Sequence, residues 1–493
     1  MKYIKINIAI LAALLFLWNS CSEDFLDVPP KSFVSSAEFY ATEENFVQAL
    51  NGAYESLRGI YNAGYVMGEM RSDNTHYYYK ENDRGLQNVE KEDVDGFVDD
   101  PLNRYTSQKY VACYEGISRT NVILDRIEAA DITDAAKNEI IGEAKFLRAF
   151  NYLELVQYFG GVPLYVKEVT TQNETALPRS SKEDVYIQII EDAKDALSKL
   201  PLVQTEKGRV TKGSANALLG YVYMILKNYS EAESYLQAVV SSGTYDLVPD
   251  YANIFDPTNK NNEESIFEIQ YRQGNQDQES SWIYQFIPPL TNTDVITGVV
   301  GNNGIIGGWN TPTEDLMNSY EEGDLRKDAS IAEGYTDANG DFVSVPFVKK
   351  YLHEHQNYNN TDDNWPVYRY ADVLLLLAEC LNEQGKSALA LPYLDQVRNR
   401  AGLGNVTVTD QTQLNDIIAH ERRIELAFEN HRWLDLVRTD KAIEVMNAFG
   451  EKMKQKYFYL LARTYQVNEN KLIFPIPQTE ITLNDQLEQN PGY

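Results

Sequence analysis

The sequence is poor in cysteine, in histidine and in positive charge. Three cysteines cannot staple 493 residues together, so stability has to come from a packed core. The 44 Lys and Arg stand against 73 Asp and Glu, a net charge of −29. That balance argues against a general nucleic-acid binder, which needs cations to neutralise phosphates. Five histidines supply no zinc-protease motif, because His420-Glu421 is not followed by a histidine three residues after the glutamate. His353-Glu354-His355 offers two imidazoles without an identifiable third ligand, so no metal is expected. A Gly-x-Ser-x-Gly elbow is missing, and Gly385-Lys386-Ser387 lacks the earlier glycine of a phosphate loop. No cofactor is expected. Two placed carboxylates suffice for glycoside hydrolysis, and composition does not exclude a hydrolase.

What is present begins at the N-terminus. Lys2 and Lys5 precede an apolar run from Ile8 to Trp18, far short of the roughly 20 residues that a membrane-spanning helix needs. A basic start and a short apolar core read as a secretory signal over 1–20. The run ends Trp18-Asn19-Ser20-Cys21, a small residue immediately before a cysteine, like a bacterial lipoprotein cleavage site. Cys21 is therefore the expected lipidation site. The alternative is an ordinary signal peptide with an incidental cysteine. Losing two lysines with the signal takes the charge from −29 to −31. Cys113 and Cys380 remain, in apolar helical stretches where a free thiol behaves as a small hydrophobe.

The apolar fraction of 43% is that of an ordinary globular chain. Internal repetition points to a mainly α fold with tetratricopeptide-like helix pairs. Gly220, Tyr223, Ala232, Leu236 and Val239 recur, each 158 residues later, as Ala378, Leu381, Ala390, Leu394 and Val397. Small residues let two antiparallel helices approach, and larger ones fill the seam. A split third unit has helices over 138–159, stopped by Gly160-Gly161, and from the Ser180-Ser181-Lys182-Glu183 capping signal to Leu200. A helix over 43–58 and a helical pair over 413–447 complete the prediction.

Turn chemistry fills 71–108 and 271–312, and Asp337-Ala338-Asn339-Gly340-Asp341 predicts a β-hairpin with an Asn-Gly turn. Its resemblance to a calcium loop stops short, because the closing acid is missing. Long loops in compact proteins are usually functional. Loop aromatics are the expected binding residues: Tyr77, Tyr78, Tyr79, Tyr105, Trp282, Tyr284 and Trp309, with Asp73, Asn74, Asn103 and Arg104 as polar partners. Rings cover the C–H faces of sugars, and polar groups reach their hydroxyls. Trp282 and Tyr284 would share one face of an extended segment.

Several stretches carry a family resemblance. Glu143–Phe150 followed by Tyr158-Phe159-Gly160-Gly161-Val162-Pro163-Leu164 resembles a signature of the SusD/RagB family. So do Glu421–Glu429 continuing through Arg432–Arg438, the segment Gly308-Trp309 with Pro312-Thr313 and Asp324-Leu325-Arg326, and the closing Pro475-Ile476-Pro477-Gln478 and Gln489-Asn490-Pro491-Gly492-Tyr493. The resemblance implies an α/α superhelix with one loop-rich face and small β-hairpins. It implies a nutrient-binding lipoprotein on the outer membrane, taking oligosaccharides or polysaccharides (peptides in some members) and passing them to a SusC-like TonB-dependent transporter. It implies an N-terminal part over 21–265 and a C-terminal part over 266–493, packed as one unit, without catalytic residues. A tetratricopeptide scaffold devoted to protein contacts is the alternative. The Glu421, Glu425 and Glu429 carboxylates, spaced four apart beside Arg422 and Arg423, read as a charge network bridging helices.

Overall fold

The computed structural model describes residues 39–274, 277–301 and 304–493. The signal segment 1–20 and Cys21 lie outside the described residues. Among those described, no helix is long and apolar enough to cross a membrane.

Helices α1 (Glu43–Tyr61), α2 (Leu86–Asp95), α3 (Arg104–Arg126), α4 (Asp134–Phe159) and α5 (Lys182–Lys199) are followed by α6 (Lys212–Ile225) and α7 (Tyr229–Ser241). After the loop-rich middle come α8 (Tyr370–Glu383), α9 (Ser387–Arg400), α10 (Gln411–Glu425), α11 (Arg432–Arg438) and α12 (Ala442–Lys456). The starts follow from local chemistry. Thr42, Asn103, Thr133 and Ser181 each accept a backbone N–H of the first turn, filling donors that a helix leaves open. At the end of α4, Gly160 takes φ +73°, which a β-carbon disfavours.

The helices stack as a layered series. α1 packs on α3, α3 on α4, α4 on α5, α5 on α6, α6 on α7, α7 on α8, and α8 on both α9 and α10. The two repeat units α6–α7 and α8–α9, far apart in sequence, are thus spatial neighbours, as a solenoid requires. Within the first unit the seam between α6 and α7 is tight: a β-carbon on Gly220 would sit 2.6 Å from Leu236 Cδ2, and Leu236 is fully buried. Gly220→Ala is therefore expected to cost about 1–3 kcal/mol by overpacking, read as a lower urea midpoint. Between the units, Cys380 of α8 donates its thiol to Tyr229 O at the start of α7 at 2.9 Å. It and Cys113 are both buried and free.

The family-like motifs do structural work. Arg148 of α4 grips Asp192 of α5 with Nε and Nη2 at 2.7 and 2.8 Å, and Glu143 accepts from Tyr54 and Arg209 at 2.6 and 3.0 Å. At the C-terminus, Asn490 Nδ2 donates to Phe159 O and Phe474 O at 2.9 and 2.6 Å. The closing motif therefore docks onto the Phe159-Gly160 turn.

The acidic run builds a buried ionic centre. Arg369, at the end of strand Trp365–Arg369, meets Glu264 at 2.5 Å, Glu425 at 2.9 Å and Glu429 at 2.8 Å. Arg326 reaches Asp324, Glu421 and Glu425 at 2.7, 2.5 and 3.1 Å, and Arg400 adds Glu264 and Glu425 at 2.9 and 2.6 Å. Arg422 joins Asp372 at 2.7 Å and Asp435 at 3.1 Å. These charges tie α8, α9, α10 and α11 together, so the reading of Glu421–Glu429 as a bridging network agrees with the geometry.

Two expectations need correction. The helical pair over 413–447 is three helices, α10 to α12, because the chain turns at Asp440, φ +58°, as well as at Phe428 and Asn430, both at φ +68°. The Phe428 and Asn430 N–H groups donate to the buried Glu69 carboxyl, each at 3.1 Å, and these bonds hold the strained turn. The stretch 71–108 is not all turn. It contains α2 and the start of α3, since Gly85 and Asn103 open helices there. The hairpin around Asp337 forms as expected from Tyr335–Thr336 and Phe342–Val343, with Gly340 at φ +90°. Asp337 Oδ1 accepts from the N–H groups of Asn339 and Asp341, each at 2.9 Å, so the motif is a turn.

Candidate functional site

Two short strands set the site. β1 (Thr75–His76) pairs antiparallel with Thr311–Pro312. The ladder continues past its end, where Tyr78 N donates to Gly308 O at 2.7 Å. This pairing clamps the loop 77–85 beside the loop 304–310. In the second loop Gly307 and Gly308 take φ +84° and +81°, while Gly308 N and Trp309 N donate to Ile287 O and Gln285 O at 2.6 and 2.9 Å. Trp309 is thereby held by its backbone at the junction of both loops.

Between the loops and the start of α3 lies a crevice of about 440 Å³, lined by Lys80, Asp83, Asn88, Arg104, Gln285, Ile306, Trp309 and Tyr358 among others. Trp309 is only 3% exposed, so it contributes an edge to the floor rather than an open face. Lys91 lies beneath it, Nζ 4.5 Å from the indole centroid and 2.8 Å from Gln285 Oε1. Arg104 stands at the rim, paired with Glu90 and with 40% of its side chain exposed.

On the far side of the 77–85 loop is an aromatic shelf. Tyr79 stacks on Tyr459 with centroids 4.3 Å apart and planes 7° from parallel. Phe458 meets both rings edge-on, at 6.0 and 5.7 Å, and is 89% exposed. Arg84 covers Tyr79 at 4.9 Å and is held by Glu92 at 2.5 Å. The shelf is anchored from below: Tyr459 Oη lies 2.9 Å from His76 Nε2, and His76 Nδ1 lies 2.9 Å from Asp95. Tyr465 donates to the same buried carboxylate. Tyr77 joins the two halves, its ring 6.1 Å from Trp309 and 5.5 Å from Tyr459.

Measured against this geometry, the expected residues divide. Arg104 and Trp309 line the crevice. Tyr78 is 49% exposed at its margin, where a β-carbon on Gly308 would lie 3.1 Å from its own. Tyr79 belongs to the shelf. Tyr77 and Tyr105 are buried supports, the second with its hydroxyl donating to Gln87 O at 3.4 Å. Neighbouring side chains alternate in direction, which is why three consecutive tyrosines do three different things.

Five residues fall elsewhere. Trp282 is buried against Tyr271, Trp365 and Tyr351, with centroids 4.8, 4.9 and 5.7 Å away. Tyr284 is buried too, its hydroxyl 2.6 Å from His355 Nε2. The segment is a helical turn, Ile283–Phe286, not an extended strand, so the two rings do not share a face. Asp73 is gripped by Arg432 at 2.8 Å and Arg423 at 3.0 Å. Asn74 bridges Glu69 and Arg423, each at 2.8 Å. Asn103 caps α3. Each had the right chemistry for a ligand, and the fold had already used it. His353, meanwhile, is paired with Asp363 at 2.5 Å.

Phe458 and Tyr459 of the shelf and Lys80 and Tyr358 of the crevice were not expected from the sequence. A signal for the first two was available: Tyr457-Phe458-Tyr459 follows directly on α12, beyond helical spacing.

Comparison with known proteins agrees at both ends of the chain. The family described as "SusD family" matches residues 330–493, and the one described as "Starch-binding associating with outer membrane" matches 24–224. SusD-like protein P38 of Formosa agariphila is 29% identical over 100% of this chain and 99% of its own. A laminarin binding SusD-like protein of known structure is 27% identical with TM-score 0.77, covering 92% of this chain and 100% of that one. A SusD superfamily protein from Bacteroides vulgatus has TM-score 0.76 at 25% identity, over 92% and 100%. With the helical fold shared and the motifs matched in order from both ends, the chain belongs to the SusD/RagB family.

Proposed function

We propose that this protein is a surface glycan-binding lipoprotein. Its crevice and aromatic shelf hold an oligosaccharide, and no bond of the ligand is cut. The observation that carries the reading is the pairing of an 89%-exposed Phe458, set edge-on against the stacked Tyr79 and Tyr459, with a polar crevice across one loop. Exposed rings fixed in place present apolar faces at little entropic cost, and the adjacent polar groups suit hydroxyls. The laminarin-binding relative and the starch-binding family description support a glycan as ligand. Cys21 would carry the lipid that holds the protein on the outer membrane, facing the exterior, where it delivers its ligand to a SusC-like TonB-dependent transporter.

The test is calorimetry on a soluble form beginning at Ser22, against a panel of purified oligosaccharides. Phe458→Ala and Tyr78→Ala are expected to weaken binding of the best ligand about tenfold each, with the wild-type melting temperature retained, because both side chains are exposed. Absence of binding to every glycan, or new reducing ends appearing during incubation, would reject the reading. Unchanged affinity in both variants would move the site away from this face and favour the protein-contact alternative.

A further inference from the structure

Two lysines at and behind the crevice have no carboxylate partner among the described residues. Elsewhere the interior obeys a simple rule: a buried lysine has a carboxylate. Lys109 has Glu154 at 2.5 Å, and Lys350 has Glu429 at 2.9 Å. Lys80 and Lys91 break that rule together. Lys91 donates to the neutral Gln285 and faces Trp309, Tyr65 and Tyr105, with centroids 4.5, 5.8 and 5.8 Å away. Lys80 lines the crevice, is 9% exposed, and sits with Nζ 5.1 Å from the centre of the same indole. Neither forms an ion pair among the described residues.

Two lysine head groups flank one ring, Lys91 sealed behind it and Lys80 on the crevice side. Burial pushes both down from the usual lysine range, Lys91 to about 7, and the charge of Lys80 works in the same direction on Lys91. Asp83, which also lines the crevice, and Glu92 act the other way on Lys80, yet neither approaches within ion-pair distance of it. Arg104 at the rim is already matched by Glu90. The π faces of Trp309 and its neighbours offset part of the desolvation. They supply no counter-charge. A buried cation without its anion is costly, and Lys80 on the wall of an open crevice, with Lys91 behind the Trp309 floor, leaves a place for an anion brought from outside.

We propose that the crevice selects a sugar bearing an anionic substituent, a carboxylate or a sulfate ester, which pairs with Lys80 over the Trp309 edge. This rests on the glycan-binding reading and sharpens it. The net charge of −29 repels a densely charged polymer at long range, so the geometry suits one acidic ring seated among neutral contacts.

Matched ligands test it. Oligogalacturonides are compared with their methyl esters, and carrageenan oligosaccharides with their desulfated forms, by calorimetry at fixed ionic strength. In at least one pair the acidic form is expected to bind about tenfold more tightly. Lys80→Met removes the difference between the two forms, and Lys80→Arg retains it. The pair that discriminates identifies carboxylate or sulfate as the recognised group. Equal affinity of the acidic and neutral forms in both pairs, or a preference that survives in Lys80→Met, overturns the proposal while leaving glycan binding intact. Sodium sulfate or acetate binding as tightly as the acidic sugar overturns the sugar part of it. Binding of no member of any pair, with laminarin and starch oligosaccharides equally silent, removes the glycan reading as well.

Discussion

Glu425→Ala is expected to lower the stability of the folded protein by at least about 3–5 kcal/mol, measured as the shift in urea unfolding midpoint. The carboxylate sits between three guanidinium groups, those of Arg326, Arg369 and Arg400, at 3.1, 2.9 and 2.6 Å. All of these side chains are sealed from solvent. Removing the anion leaves the three guanidinium groups to share Asp324, Glu421, Glu264 and Glu429 without water, a larger penalty than the loss of any surface pair. Glu425→Gln keeps the volume and is expected to cost nearly as much. A loss below about 1 kcal/mol in both, the scale of an exposed pair, would show that the network is not what joins α8, α9 and α10.

The same centre sets the acid limit. Burial raises the Glu425 carboxyl, but Arg400, Arg369 and Arg326 outweigh it and hold it at about 2, below its ordinary 4.5. Glu429 and Asp435 are depressed in the same way, the first by Arg369 and Lys350, the second by Arg422 and Arg438. Groups held down in the folded state contribute stability above pH 4.5, and lose it as pH falls toward 2. Glu69 runs the other way. Burial lifts it to about 7 in spite of the Asn74, Phe428 and Asn430 donors. Its contribution is full below pH 4.5 and fades as pH rises through 7. The urea midpoint should therefore pass through a maximum near pH 5, and a maximum above pH 8 would contradict this assignment of charges.

Gly307→Ala is expected to abolish measurable glycan binding with little change in the global midpoint. Gly307 sits at φ +84°. A β-carbon there would overlap the Ile287 carbonyl and lie 2.6 Å from Pro288 O. Backbone atoms cannot swing aside as a side chain can, so the loop must leave its path, and a forced left-handed alanine adds about 1–3 kcal/mol of local strain. The loop carries Trp309, the ladder bond to Tyr78 and one wall of the crevice. It belongs to the region of a small satellite cluster, around Ile283, Tyr284, Ile287 and Phe347, apart from the main core. Folding should survive while the site does not. Wild-type affinity in Gly307→Ala would separate the crevice from ligand binding.

Much of the scaffold was legible in the sequence. The shared spacing of Gly220 and Ala378 marked two helix pairs, and Ser181 and Gly160 marked helix ends, because caps and small-large seams are local chemistry written within a few residues. The four-residue spacing of Glu421, Glu425 and Glu429 announced one charged face. Its partners were not legible: Arg326, Arg369 and Arg400 come from three other segments. The proposed binding face was harder. Trp282, Asp73, Asn74 and Asn103 have the side chains of a sugar site, and nothing local distinguishes a tryptophan in a loop that covers the core from one that greets a ligand.

The residues alone determined the helical class, the repeat, the acidic charge and the family, since periodicity, caps and ordered motifs are properties of the chain as a string. Tertiary structure decided which aromatics remain available and which cations remain unpaired. Tyr79 meets Tyr459, and Lys80 meets Trp309, across more than 200 residues of chain. Exposure and charge balance are sums over neighbours, and the neighbours exist only once the helices have stacked.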